Sequence, residues 1–167
     1  MSETFRFKPS SFSLWFNELR PGMSFVSQGR TITEADVVHF SAMTGDRHPV
    51  HTDAEWAKQS EFGSRIANGL LVLSYAFGLL PLDPERVVAM RSISRAKFKR
   101  PVFLGDTITV QGKIVELTKL SAGTGLVQCL LSITNQDGRR TGMAHVELVW
   151  RSDCTSTIAN ASRAVPQ

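Results

Sequence analysis

The stretch from Leu70 to Leu80, LLVLSYAFGLL, constrains the fold more than any other part of the chain. Leucines, Val72, Tyr75 and Phe77 fall on every side of a helical spiral, and a helix that is apolar all round belongs in a core. At about 1.5 Å per residue it reaches roughly 17 Å, too short to cross a bilayer. The remaining chain must therefore wrap it. Asn68 is a natural cap for this helix, and Gly69 lets a ligand oxygen approach the backbone. The first N–H groups there lack intrahelical partners, and the peptide dipoles place partial positive charge at that end.

The wrapping material follows from Val87 onward, where the period becomes two. In Arg91 to Arg100 the odd positions are Arg91, Ile93, Arg95, Lys97 and Lys99, and the even ones are Ser92, Ser94, Ala96 and Phe98. This predicts a strand with one basic and one small, apolar face. Further strands are expected over residues 107–115, 126–134 and 143–150, the second apolar on both faces and hence central. Asn135-Gln136-Asp137-Gly138 is a hairpin turn by composition. An earlier strand is expected over residues 23–32. The sum is α+β, an antiparallel sheet wrapped round one long buried helix. Residues 15–151 form the domain, 1–14 a flexible lead and 152–167 a disordered tail.

Ahead of the apolar helix lies the chemistry. Thr33-Glu34-Ala35-Asp36 has capping-box spacing; Val37, Phe40 and Met43 continue one turn apart, and Gly45 is the stop. A loop stiffened by Pro49 then holds Asp46, His48, His51 and Asp53 within eight residues, with Asp53 placed to cap AEWAKQ. A carboxylate and an imidazole five residues apart can turn toward one point and share a water. Taken alone, Asp46 could simply cap a turn and His51 could be a structural histidine.

Composition narrows the partners. The 167 residues are 42% hydrophobic with a net charge of +4, and no basic–aromatic repeat points to nucleic acid. Cys129 and Cys154 do not make a disulfide framework, and the N-terminus lacks a signal-peptide pattern, so a reducing cytoplasm is the expected compartment.

Phe40-Ser41-Ala42-Met43-Thr44-Gly45-Asp46, His48-Pro49-Val50-His51-Thr52-Asp53, Phe62-Gly63 and Ile66-Ala67-Asn68-Gly69 resemble the MaoC-like dehydratases. Phe98-Lys99-Arg100-Pro101-Val102 and Gly105-Asp106-Thr107 extend the resemblance. That family includes the (R)-specific enoyl-CoA hydratases and has the hot-dog fold. The resemblance implies a hydro-lyase of fatty acid metabolism that adds water reversibly and syn to a trans-2-enoyl thioester. Asp46 and His51 then correspond to the catalytic pair, and the N–H of Gly69 to the oxyanion donor. Asn68, Pro49, Ser74, Tyr75, Arg95 and Lys97 are the candidate substrate contacts, with no cofactor and no metal. His48 stands where Asn is commoner, Asn68 where many members have His, and Phe77 where some have a pocket Ser.

The same residues admit other readings. A hot-dog thioesterase would release thiol from saturated acyl-CoA, and a non-catalytic acyl-CoA binder would need neither Asp46 nor His51. A divalent ion on Asp46, His48, His51 and Asp53 is a third. The family joins two copies into one continuous sheet. Trp150, Val146 and the strand Leu126 to Ile133 look like more apolar surface than one core consumes. A homodimer with acyl-CoA as its ligand is therefore expected.

Overall fold

A computed structural model describes residues 13–153. The expectations for a flexible lead and for the tail fall mostly on residues 1–12 and 154–167, which lie outside that range.

Four long strands make the sheet: β3 (Val87–Phe98), β4 (Thr107–Lys119), β5 (Thr124–Thr134) and β6 (Arg140–Arg151). Short β1 (Ser24–Val26) flanks β4, giving the antiparallel order β1-β4-β5-β6-β3, and β2 (Arg30–Thr31) also pairs with β4. The β5–β6 hairpin turns at Asn135–Gly138, where Gly138 takes φ 71°. The central place expected for residues 126–134 is observed.

Alternate residues of the middle strands turn one face inward. Ile108, Val110 and Ile114 on β4, Val127, Cys129, Leu131 and Ile133 on β5, and Val146, Leu148 and Trp150 on β6 are all essentially inaccessible. They meet α4 (Gly69–Gly78), whose Leu71, Val72 and Ala76 share that core. A period of two on the strands and 3.6 on the helix thus converge on one layer. Trp150 and Val146, expected to spill apolar surface beyond one core, are fully consumed by it.

Several local expectations need correction. The predicted first strand is broken into β1 and β2, with Ser27-Gln28-Gly29 between them. The helix expected to be buried all round has an open side: Leu70 is 63% exposed, and Ser74 is exposed. The predicted face alternation of β3 fails. Its pairing with β6 slips between Val87 and Ala89, Met90 and Ser92, and Ser94 and Lys97, and Arg95 takes φ 50°. An unpaired extra residue swaps which face later side chains occupy, so the basic positions do not line one side. Ser94, Ala96 and Phe98 are exposed as well.

The capping box is observed. Helix α1 (Glu34–Thr44) starts on Thr33, whose Oγ1 accepts from the Asp36 N–H while Asp36 accepts from the Thr33 N–H. Val37 is buried, but Met43 is 78% exposed. Burial alone would raise the Asp36 carboxyl. The Tyr75 hydroxyl, both Thr33 donors and Arg30 outweigh it and hold Asp36 at about 2. A depressed folded-state value contributes stability above the ordinary 3.8 that is lost as pH falls toward 2. Asp36→Asn should therefore flatten the acid limb of a denaturation-midpoint series in that window. An unchanged limb would remove Asp36 from the acid transition.

Candidate active site

Asp46 follows Gly45, which ends α1 in the left-handed region at φ 78° and turns the chain back toward α4. The segment expected as loop then forms one helical turn, α2 (Pro49–Thr52), with Pro49 at its first position, where the missing N–H costs nothing. His48 caps that turn, its Nδ1 accepting the Val50 N–H at 3.2 Å, and its ring stands edge-on to Trp56. Asp53 caps α3 (Ala54–Gln59) as expected, accepting from the Glu55 and Trp56 N–H groups.

These local jobs deliver His51 into the interior with its side chain 11% exposed. Its Nδ1 lies 2.8 Å from the Ile66 carbonyl oxygen. A carbonyl can only accept, so Nδ1 carries the hydrogen and Nε2 of the neutral ring is left as an acceptor. That Nε2 sits 3.8 Å from Asp46 Oδ2. Asn68 Nδ2 donates to the same oxygen at 2.8 Å. Asn68 therefore does not cap α4 with its side chain as expected; fully buried, it fixes the carboxylate instead. The Asn68 amide is the main cause that holds Asp46 below the ordinary carboxylate range, against the opposing push of burial, with the His48 N–H and the two imidazoles assisting.

Gly69 opens α4 beside this pair. A Cβ there would lie 3.0 Å from the Phe98 ring, so any larger residue needs that ring to shift by a few tenths of an ångström. A cleft of about 340 Å³ runs past His51 and Gly69, walled by Phe62, Ile66, Phe98 and Val102. Lys99 and Arg100 add two cations to its wall.

Not every candidate residue reaches that place. Ser74 is exposed and its Oγ donates to the Leu70 carbonyl at 2.8 Å. The Tyr75 hydroxyl donates to Asp36 at 2.5 Å, and Arg30 stacks on its ring at 4.7 Å. Pro49, Arg95 and Lys97 are exposed, and none of these five lines the cleft; nor do Asp46 and Asn68, so of the candidate residues only His51 and Gly69 line it. Phe62, Ile66, Phe98 and Lys99 do line it. Their segments carried the sequence resemblance, but nothing in their spacing announced a common wall. Among the described residues no three His, Cys, Asp or Glu side chains converge as metal ligands. His48 and Asp53, two of the four proposed, are turned to helix caps.

The pattern of the MaoC like domain matches residues 17–135 of this chain. The chain belongs to the MaoC-like dehydratase family. It is 38% identical over 101 residues to Protein MaoC of Klebsiella aerogenes, covering 60% of this chain and 30% of that one. An (R)-specific enoyl-CoA hydratase of Rhodospirillum rubrum is 33% identical over 98 residues, covering 57% and 65%. Among solved structures, a monoamine oxidase regulatory protein from Archaeoglobus superposes with a TM-score of 0.79 at 35% identity, covering 84% of this chain and 95% of that chain. The match to each of the two curated relatives thus spans less than two thirds of the relative's length. The fold shared across the MaoC-like family is the hot-dog, an antiparallel sheet around a central helix.

Proposed function

We propose that the chain is an acyl hydratase and dehydratase. It adds water reversibly and syn across a trans-2-enoyl thioester to give an (R)-3-hydroxyacyl thioester. The observation that carries this is the pair of proton acceptors, Asp46 Oδ2 and His51 Nε2, 3.8 Å apart at the start of α4. A water between them gives one hydrogen bond to each and aims its oxygen at C3 of the substrate. As that oxygen bonds to C3, one acceptor takes the water proton and a proton passes from the pair to C2. Both arrive from one face, which is the syn outcome. Negative charge gathers meanwhile on the thioester oxygen, opposite the Gly69 N–H and the helix dipole. Such a donor is worth about 2.7–4 kcal/mol. The ionised Asp46 and the Nδ1–H tautomer of His51 supply the starting state. The name of the Rhodospirillum rubrum relative supports the substrate class and stereochemistry.

Hydration assays across crotonyl, octenoyl, mesaconyl and aryl-enoyl thioesters test the reading. Free thiol from saturated acyl-CoA without any hydration would replace it with a thioesterase.

His48→Asn should leave turnover within about threefold, because an Asn Oδ1 can accept the same Val50 N–H that His48 Nδ1 accepts, and the cap is kept. A loss as large as that of His51→Ala would put His48 among the reacting groups.

The homodimer belongs to the same proposal, on different residues from those first expected. Val88, Met90, Ile93 and Phe98 on the edge strand β3 are 39–52% exposed, and Leu70 is open on α4. An unpaired edge with apolar side chains invites another strand. The partner's strands would wall the cleft beside Phe98. Light scattering decides it: an active monomer at micromolar concentration would refute the dimer.

A further inference from the structure

Helix α1 delivers Asp46 from its far end, yet it has little apolar packing of its own. Of its eleven residues only Val37 and Ser41 are buried, with Phe40 partly so, while Val38 and Met43 are exposed. A segment with so few buried contacts takes its place from the ties at its ends. Two of these ties run to α4. At the near end the Tyr75 hydroxyl donates to Asp36 at 2.5 Å, and at the far end the Asn68 amide donates to Asp46 at 2.8 Å. Asn68 and Tyr75 are seven positions apart, two helical turns, so one side of α4 holds both ends of α1. The near end has other contacts, Arg30 with Asp36 and Arg65 with Glu34, but Arg30 is 48% and Glu34 65% exposed. Ion pairs so open to water contribute little. The Tyr75 bond joins a partly buried hydroxyl to a carboxylate 12% exposed, and a charged acceptor makes it the stronger tie.

We infer that Tyr75 is a positioning residue: by fixing the first turn of α1 against α4, its hydroxyl sets where Asp46 meets Asn68 and His51. Tyr75 does not line the cleft beside Gly69, so it acts through α1. The helix is stiff, because each N–H bonds to the carbonyl four residues back, and a displacement at Asp36 is carried along its roughly 16 Å. Gly45 and Asp46 follow directly, with no other element between. The kinetic consequence rests on the hydratase reading; the placing of Asp46 does not.

Tyr75→Phe tests the role, since it removes the hydroxyl and keeps the ring on which Arg30 stacks. An infrared titration of the Asp46 carboxylate, assigned by difference against Asp46→Asn, should show it rising toward the ordinary range. Asn68→Ala should move it the same way, because the Asn68 amide is the main cause that holds it down. In the Asn68→Ala background Tyr75→Phe should add nothing further, as the contact it acts through is already gone. On an enoyl thioester kcat should fall about tenfold while KM stays within about twofold, the mark of a misplaced reacting group rather than lost binding. Val127→Ala, a truncation in the core on β5, lowers stability without touching either tie and should move neither quantity. An unchanged Asp46 titration or an unchanged kcat in Tyr75→Phe would overturn the proposal. So would a shift that adds fully to that of Asn68→Ala, or an equal shift in Val127→Ala. A shifted titration in a chain that hydrates nothing would refute the hydratase and leave the placing of Asp46 by Tyr75 standing.

Discussion

Asp46→Asn and His51→Ala should each lower turnover on an enoyl thioester by about 10²–10⁴-fold, the usual contribution of a positioned acid or base. The two substitutions fail for different reasons. An amide at position 46 can still accept from Asn68 Nδ2, so the local structure is kept while the proton acceptor and its charge are lost. Removing the imidazole leaves the Ile66 carbonyl without its partner as well, costing about 1–3 kcal/mol of stability. Circular dichroism and a denaturation midpoint must therefore accompany the assay of the His51 variant. Neither group can substitute for the other, since each accepts a different hydrogen of the same water. A folded variant of either kind with near-native turnover would remove the pair from the mechanism. Because Asn68 holds Asp46 below the ordinary carboxylate range, Asn68→Ala should let the Asp46 carboxyl rise toward that range, which an infrared titration of the carboxylate would read directly.

Trp150→Ala is expected to produce the largest loss of stability, about 3–5 kcal/mol for truncating a buried aromatic. Trp150 is 0% exposed at the end of β6, and its Nε1 donates to the Leu14 carbonyl at 2.8 Å, so the change empties the core and unties the start of the described chain together. Against a total of about 5–15 kcal/mol for a domain, that is a large share. Urea titration gives the answer. A midpoint shifted by less than the equivalent of about 1 kcal/mol would mean that the surroundings collapse around the smaller side chain.

Much of this was legible in the chain because the signals are local. The box at Thr33 and Asp36, the stop at Gly45, the Asp53 cap and the period of the central strands each depend on neighbours within a few residues. The short spacing from Asp46 to His51 falls in the same class, and the structure does bring those side chains together. What was illegible depends on packing across the fold. Asn68 reads as a cap because of its place before Gly69, yet its amide finds Asp46, 22 residues away. Tyr75 reads as a candidate substrate contact on an apolar helix, but its hydroxyl is drawn to Asp36 and Arg30. The alternation of residues 91–100 is plain in the sequence; the bulges that scramble it are set by pairing with β6. Trp150 and Val146 illustrate the same limit, since how much apolar surface a core consumes is a three-dimensional quantity.

The two edges of the sheet are unequal. One is β3, twelve residues long; the other is β1, three residues, with the two-residue β2 beside it on β4. In the language of polymer chemistry the subunit is monofunctional: it has one reactive end and one blocked end. Joining two β3 edges about a twofold axis, as in the proposed homodimer, would use up both reactive ends and leave only stubs outside, so growth would terminate at the first step. The bulges and the φ of 50° at Arg95 reinforce this by making β3 a poor template for flat, repeated pairing. In the homodimer proposed above, a strand open enough to pair with one copy would in this way be kept from recruiting a filament.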